Sequence, residues 1–102
     1  MTKAAMIIKS RAAEGRRGDL EALYQKHLAP RAAANPDQEV VVWCDDAHDP
    51  DVFYLFEIYS SERAIAANAQ TPWFGEYMAA AGPMLAGSPE VTMAKPRWTT
   101  GI

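Results

Sequence analysis

The sequence predicts an α+β fold in which two helices cover one face of a four-stranded antiparallel sheet. Segments rich in β-branched and aromatic residues alternate with segments whose apolar residues recur at helical spacing, in the order β-α-β-β-α-β. The strand segments are apolar at both odd and even positions, which indicates a sheet that is buried on both faces. At 102 residues the chain is long enough for one domain, spanning residues 1–102, with a single core.

The first half of the chain supplies a strand, a helix and a second strand. Residues 3–11 (KAAMIIKSR) predict the first strand. A helix is expected to begin near Asp19, whose carboxylate suits the positive end of a helix, with Pro30 kinking it later. Its inner face combines residues at i, i+3 and i+4 spacing, namely Leu20, Leu23, Tyr24, His27 and Leu28. Residues 39–45 (EVVVWCD) predict the second strand.

The second half repeats the pattern in the order strand, helix, strand. Residues 52–59 predict the third strand, and Ser60 and Ser61 are candidate N-caps for the helix that follows. Pro72 is expected at the first position of a further helical segment, because its fixed φ suits helix initiation. Residues 91–98 predict the last strand, at an edge of the sheet because it contains Pro96. This order of elements is that of a ferredoxin-like domain.

Composition and motifs exclude several classes of function. A net charge of −3 without a basic stripe argues against a nucleic-acid or membrane partner. Two histidines and one cysteine, without metal-binding spacing, predict no metal site. The acidic segment 45–51 (DDAHDPD) lacks the glycine and glutamate of a calcium loop and predicts a solvated turn. A lone thiol, Cys44, excludes an internal disulfide and favours a cytoplasmic location.

The apolar strands predict a homodimer. Two helices can cover one face of the sheet, so the opposite strand positions should be polar if that face met water. Instead the apolar runs 40–43 and 53–56 are uninterrupted. The second face is therefore expected to pack against the same face of another copy, so that two sheets form one barrel.

Aromatic residues are concentrated in one part of the chain, between Phe53 and Tyr77. This region holds seven of the ten aromatic residues, and within it Asn68 lies five residues before Trp73. An amide and an indole N–H at this spacing could contact a flat aromatic ligand. A ligand pocket is therefore expected here.

The chain resembles the antibiotic biosynthesis monooxygenase family of dimeric α/β-barrel proteins, which includes small quinol monooxygenases. The resemblance covers nearly the whole chain and is most specific at YLFEIYSSERAIAANAQTPWF. The positions that match the family pattern are Glu57, Tyr59, Ser61, Ala64 and Thr71-Pro72. Two positions that commonly hold histidine hold Asn68 and Trp73 instead. This pair resembles the branch that oxidises polycyclic aromatic polyketides without metal or flavin.

The resemblance implies a monooxygenase that uses molecular oxygen as co-substrate, needs no cofactor and acts on a phenolic, quinol or anthrone-type substrate. We interpret Asn68, Trp73 and Tyr77 as catalytic residues, because their N–H and O–H groups could stabilise negative charge on a substrate oxygen. Candidate substrate-binding residues are Tyr24, His27, Phe56 and Arg97. Of these, His27 could serve as the base and Arg97 could balance a phenolate. Glu57 is interpreted first as a structural hydrogen-bonding group and second as an acid.

Other interpretations stay open on the sequence. The aromatic and amide residues could be core residues, and Tyr24 in particular could be pocket wall or core. The scaffold could also host an isomerase or a small-molecule-binding protein, since fold alone does not decide function. A haem-binding relative is disfavoured, because residues 61–82 contain no histidine to serve as axial ligand.

Overall fold

The expected strands form an antiparallel sheet in the computed structural model, which describes residues 2–101. The strands in this range are β1 (Ala4–Arg11), β2 (Gln38–Asp45), β3 (Val52–Tyr59) and β4 (Glu90–Ala94). Their order across the sheet is β2-β3-β1-β4, and every neighbouring pair is antiparallel. The first and third strands are thus central, as in a ferredoxin-like domain. The predicted fold class is confirmed.

The last strand is shorter than predicted. β4 pairs with β1 from Lys9↔Glu90 to Ala5↔Ala94 and then ends, so residues 95–98 lie outside the sheet. Pro96 accounts for this boundary, because a proline has no N–H to donate to the neighbouring strand. β4 is an edge strand, as expected.

Four α-helices occur within residues 2–101. They are α1 (Arg17–His27), α2 (Ala29–Ala34), α3 (Glu62–Ala69) and α4 (Pro72–Ala81), and a 3₁₀ turn (Gly82–Met84) follows the last. Pro30 does not kink a continuous helix as predicted. It lies in the first turn of the separate helix α2, where its missing N–H leaves no hydrogen bond unmade. None of the described helices is long and apolar enough to cross a membrane.

The junction between α3 and α4 is fixed by local hydrogen bonds. Of the two predicted candidates, Ser61 is the N-cap of α3, and its Oγ accepts a hydrogen bond from the Ala64 amide at 3.2 Å. At the other end, the Thr71 hydroxyl donates to the Asn68 carbonyl at 2.8 Å, and Pro72 starts α4. These contacts hold Asn68 and Trp73 on two consecutive, rigidly joined helices.

The core lies between the sheet and the helices. Leu20 has no exposed surface, and Tyr24, one turn later on α1, packs edge-on against Tyr77 of α4 with ring centroids 5.9 Å apart. On the sheet, the Trp43 and Phe53 rings stack at 4.2 Å. Offset and edge-to-face pairs of this kind add to the gain from burial itself.

The opposite face of the sheet is apolar where β2 and β3 meet, and no element within the described range covers Val42 or Phe56 there. Val42 and Phe56 are paired across β2 and β3 on this face, and they are 44% and 42% exposed. Side chains alternate between the two faces along a strand. The residues that share this face include Ile7, Val40, Val42, Phe56 and Ile58.

The acidic segment between β2 and β3 forms a turn, as the sequence predicted. Asp46 accepts hydrogen bonds from the backbone amides of His48 and Asp49 and from the Tyr54 hydroxyl. These bonds, that of the Asp49 amide foremost, lower the pKa of Asp46 to about 2. The Asp46 carboxylate therefore stabilises the turn itself.

The fully enclosed position of Leu20 gives a test of the core. Leu20→Ala should lower the free energy of unfolding by about 2–5 kcal/mol, because it removes buried methyl groups and leaves a cavity. Urea denaturation followed by circular dichroism measures the loss. Leu23→Ala is the control on the same helix, since Leu23 is half-buried and should lose less. Equal losses for the two variants would show that the helix does not pack as described.

Candidate functional site

A cavity of about 180 Å³ lies between the sheet and the helices. Most of its surface is apolar and comes from side chains such as Met6, Ile8, Leu55, Phe74 and Leu85. Its polar groups come from different elements and include Gln38, Glu57, Tyr59, Asn68 and Tyr77. A concave apolar space with a few converging polar groups is the usual form of a small-molecule site.

Glu57 is the central polar group of this cavity. It is 6% exposed and lies on β3 opposite Met6 of β1. Two donors converge on one carboxylate oxygen, Oε1: the Tyr59 hydroxyl at 2.7 Å and the Gln38 amide at 3.0 Å. The Asn68 amide in turn donates to the Tyr59 hydroxyl at 3.4 Å. A chain of hydrogen bonds therefore joins α3 to the carboxylate.

A β-bulge brings Gln38 into this chain. On β2, Gln38 pairs with Tyr59 and Val40 pairs with Ile58, so Glu39 is an extra residue in the strand. Without the bulge, Gln38 would share the face of Val40 and point away from the cavity. The extra residue turns the buried Gln38 toward Glu57 instead.

The other carboxylate oxygen of Glu57 is open to the cavity. Oε2 accepts no hydrogen bond from residues 2–101. Every fully enclosed side-chain nitrogen or oxygen in the same part of the chain has a partner, so Oε2 must touch open space. Since Glu57 lines the cavity, that space is the cavity. A ligand there would meet a carboxylate oxygen with free lone pairs.

Burial sets the protonation of the groups around the cavity. It raises the pKa of Glu57, although the bonds from Tyr59 and Gln38 act in the opposite direction. Burial also raises the pKa values of Tyr24 and Tyr59, and the nearby Glu57 carboxylate adds to both shifts. The same two causes raise the pKa of Tyr77 to about 12. The three tyrosines are therefore neutral hydrogen-bond donors near pH 7.

The structure brings four of the predicted site residues together. Asn68, Trp73, Tyr77 and Tyr24 all line the cavity. The indole N–H of Trp73 meets no acceptor among residues 2–101, and the guanidinium of Arg31 lies 4.8 Å above the indole ring. Their shared location agrees with the sequence analysis, while their catalytic roles stay predictions.

The other three predicted substrate-binding residues lie elsewhere, and this corrects the sequence analysis. Phe56 is on the far face of the sheet, because side chains alternate along β3 and Leu55 and Glu57 take the cavity side. His27 does not line the cavity, since it is rotated about 60° from Tyr24 around α1, away from Leu28. Arg97 is exposed beyond the end of β4.

Sequence reasoning missed three residues of the site. Tyr59 shares the strand parity of Glu57, so alternation along β3 was a signal that could have found it. Gln38 gave no signal, because the bulge that reorients it is invisible in the residue pattern. Arg31 lines the cavity as a cation, and it was missed because Pro30 was interpreted as a kink rather than as the start of α2.

No group of three or more histidine, cysteine, aspartate or glutamate side chains that could hold a metal ion occurs in the described range. The site is thus composed of one carboxylate, neutral donors, aromatic rings and the Arg31 cation.

Comparison with known proteins gives structural relatives. No family model and no curated protein sequence matches the chain. Among solved structures, a proposed antibiotic biosynthesis monooxygenase from Chloroflexus aurantiacus is 25% identical, with a TM-score of 0.85 and 99% of each chain covered. One from Nitrosomonas europaea is 15% identical (TM-score 0.89; 98% of this chain and 95% of that chain covered). A third, from Caulobacter crescentus, is 20% identical (TM-score 0.88; 95% and 92% covered). These likenesses confirm the predicted fold and the predicted resemblance to this family.

The hydrogen bond between Tyr59 and Glu57 gives a second test. Tyr59→Phe should lower the free energy of unfolding by about 1.5–3 kcal/mol, because a buried carboxylate loses one of its two donors. The loss should grow as pH rises from 4.5, the ordinary pKa of a glutamate carboxyl, because Glu57 ionises above that value and the bond stabilises its ionised form. Urea denaturation at a series of pH values from 4.5 upward measures it.

Tyr54→Phe is the matched control for this experiment. Its hydroxyl donates to a carboxylate at the same distance, 2.7 Å, but on the solvent-facing turn at Asp46. The control variant should lose less stability than Tyr59→Phe. A loss as large as that of Tyr59→Phe would contradict the greater stabilisation assigned to the buried hydrogen bond.

Proposed function

We propose that this protein is a cofactor-independent monooxygenase that oxidises a phenolic, quinol-like or anthrone-type aromatic substrate with molecular oxygen. One observation supports this above others: an apolar, aromatic-lined cavity holds an open carboxylate oxygen beside several neutral N–H and O–H donors. Such a site suits a flat, neutral molecule that becomes an anion during the reaction.

The proposed chemistry depends on the substrate. Once an anthrone-type CH₂ group has lost a proton, the electron pair left behind can reduce oxygen without a cofactor. Addition of O₂ and a proton gives a hydroperoxide, and loss of water from it breaks the O–O bond and leaves a ketone. The CH₂ group and O₂ together become C=O and H₂O, so no external reductant is consumed. The protein supplies binding, orientation and a proton acceptor, following the usual division of labour in which the reactive molecule provides the difficult chemistry.

The donors around the cavity would stabilise the anion. Asn68 and Trp73 each present N–H groups, and the amide of Asn68 has a second hydrogen besides the one directed at Tyr59. Tyr77 stays protonated near pH 7 because its pKa is raised. Donors placed in advance toward developing negative charge in a water-poor site are among the largest contributions to enzymatic rate.

The structural relatives support the same reaction class. Each of the three compared proteins is itself named as a proposed antibiotic biosynthesis monooxygenase. The likeness covers at least 95% of this chain.

A second candidate is a cofactor-free isomerase that moves a proton on a similar substrate without oxygen. The open oxygen of Glu57 favours it, because a buried carboxylate can take and return a proton on neighbouring atoms. The two candidates differ in one measurable quantity, which is the consumption of oxygen.

We also propose that the chain forms a homodimer through the uncovered face of the sheet. Three strands of eight residues and a fourth of five, about 4.8 Å apart, give a face of roughly 460 Å². This lies within the range of the largest apolar patches on monomers, about 300–600 Å², which are often functional. Burial of Val42 and Phe56 against the same residues of a second copy would remove this surface from water.

Oxygen uptake tests the proposed reaction. Protein treated with chelator should consume oxygen with anthrone or a naphthohydroquinone faster than these compounds autoxidise. Asn68→Ala and Trp73→Phe should each lower kcat about 100-fold, as expected for loss of one donor to an oxyanion. Oxygen-electrode measurements on the wild type and variants give the rates.

Trp98→Phe is the matched control, because Trp98 is 80% exposed and does not line the cavity. It should keep the wild-type rate. Turnover no faster than autoxidation across the panel, with no effect of either cavity variant, would reject the monooxygenase proposal.

Sedimentation tests the proposed dimer. The wild-type chain should sediment as a dimer of 11.2 kDa subunits, and Phe56→Asp should shift it toward monomer, because two carboxylates would be buried at the interface. Ala22→Asp, which adds the same charge to the exposed surface of α1, should leave the dimer intact. A monomeric wild type at micromolar concentration would contradict the proposal.

A further inference from the structure

We infer that Glu57 is the general base of this site, its Oε2 oxygen taking the proton from the acidic O–H or C–H bond of the bound substrate. The inference rests on the proposed binding of an aromatic substrate in the cavity. It goes further by naming the residue that starts the reaction. Glu57 takes the role of base that the sequence analysis gave to His27, which lies outside the cavity.

The two oxygens of Glu57 have different surroundings. Oε1 is held by the Tyr59 hydroxyl and the Gln38 amide, which fix the plane of the carboxylate. Oε2 accepts no hydrogen bond from residues 2–101 and is accessible, since every fully enclosed side-chain nitrogen or oxygen among them has a partner. A base must be rigidly placed and have a free lone pair toward the proton, and Glu57 meets both conditions.

Each element packed around Glu57 places groups toward it. Its own strand contributes Tyr59, α1 contributes Tyr24 and α4 contributes Tyr77, all of which are neutral near pH 7. β1 and β2 contribute the uncharged Met6 and Gln38. The remaining polar or charged residues of the cavity are Ser10 of β1, Arg31 of α2 and Asn68 of α3. No second carboxylate lines the cavity among the described residues.

These surroundings suit proton abstraction from a weakly acidic substrate. Burial raises the pKa of Glu57, which makes the carboxylate a stronger base than an exposed one. When it takes the proton, it becomes neutral and leaves the new negative charge to the substrate. An ionised Glu57 beside a substrate that is already an anion would instead repel it. The site therefore favours neutral phenols, quinols and anthrones over substrates that carry a carboxylate near the reacting atom.

The proton balance of the reaction closes through the same residue. The substrate C–H or O–H bond breaks, its electron pair stays on the substrate, and the proton moves to Oε2. After O₂ has added to the carbanion, the protonated Glu57 returns the proton to the distal peroxide oxygen. A second removal of the remaining C–H proton by Glu57 accompanies O–O cleavage, and this proton leaves with the departing hydroxide as water.

Hydrogen exchange without oxygen isolates the proposed step. Anthrone incubated in D₂O under argon should exchange its CH₂ hydrogens faster with wild-type protein than in buffer, as followed by NMR. Glu57→Gln should lower this enzymatic exchange by about 100-fold or more, in the range usual for loss of a general base. Glu76→Gln, an identical change at an exposed glutamate outside the cavity, should exchange like the wild type.

The pH dependence gives a readout that does not require a variant to fold. For the wild type, the enzymatic exchange rate should rise with pH and level off above the raised pKa of Glu57, because only the carboxylate form accepts a proton. A folded Glu57→Gln should lack this rise.

Thermal stability reports the same titration. A carboxyl whose pKa is raised by folding stabilises the protein below its ordinary pKa, and this stabilisation is lost as pH rises through the folded value. The melting temperature of Glu57→Gln should therefore increase relative to the wild type between pH 5 and pH 8.

The results of these experiments distinguish a failure of Glu57 as the base from a failure of the proposed monooxygenase reaction. Exchange by the wild type that is lost in Glu57→Gln supports the base, and oxygen uptake then decides between monooxygenase and isomerase. Oxygen uptake that survives Glu57→Gln at the wild-type rate would overturn the base and leave the monooxygenase standing. Exchange no faster than in buffer, or a flat pH profile for the wild type, would also overturn it.

Discussion

A sheet that is apolar on both faces is the constraint from which the rest of this structure follows. The strands pair along their whole length, so their side chains have to point to two opposite faces, and each face has to be removed from water. The helices cover one face and enclose the cavity there. Val42 and Phe56 remain exposed on the other face, and the proposed second copy would cover them. The pocket and the proposed dimer are therefore two consequences of one pattern of residues.

The buried carboxylate of Glu57 is the feature that distinguishes the cavity from ordinary core. A carboxylate inside an apolar space is costly unless it is hydrogen-bonded, and here Tyr59 and Gln38 provide those bonds to one oxygen while the other stays open. A purely structural role for this residue would be expected to satisfy both oxygens. Because one oxygen lacks a hydrogen bond, burial still destabilises the ionised form of Glu57. This raises its pKa and makes the carboxylate more basic, as is common at sites of proton transfer.

The aromatic residues serve the fold and the site at once. Tyr24 and Tyr77 pack against each other in the core, and their hydroxyl groups lie close enough to Glu57 for its charge to raise their pKa values. Tyr24 is therefore both a wall of the pocket and part of the core. In a domain of 102 residues, a pocket cannot be built apart from the core, since the chain has only one apolar interior.

The sequence by itself determined the order of elements, the turn at residues 45–51, the helix start at Ser60 or Ser61 and the region of the cavity. These features depend on local chemistry: apolar periodicity, carboxylates that accept backbone amides, and a hydroxyl that caps a helix. Only the tertiary structure decided which residues meet. Phe56 lies one residue from Glu57 yet faces the other way, and Gln38 reaches Glu57 through a bulge that no periodicity reveals. The physical reason is that a site depends on the direction of side chains from several elements, and this direction is set by strand register, helix rotation and packing.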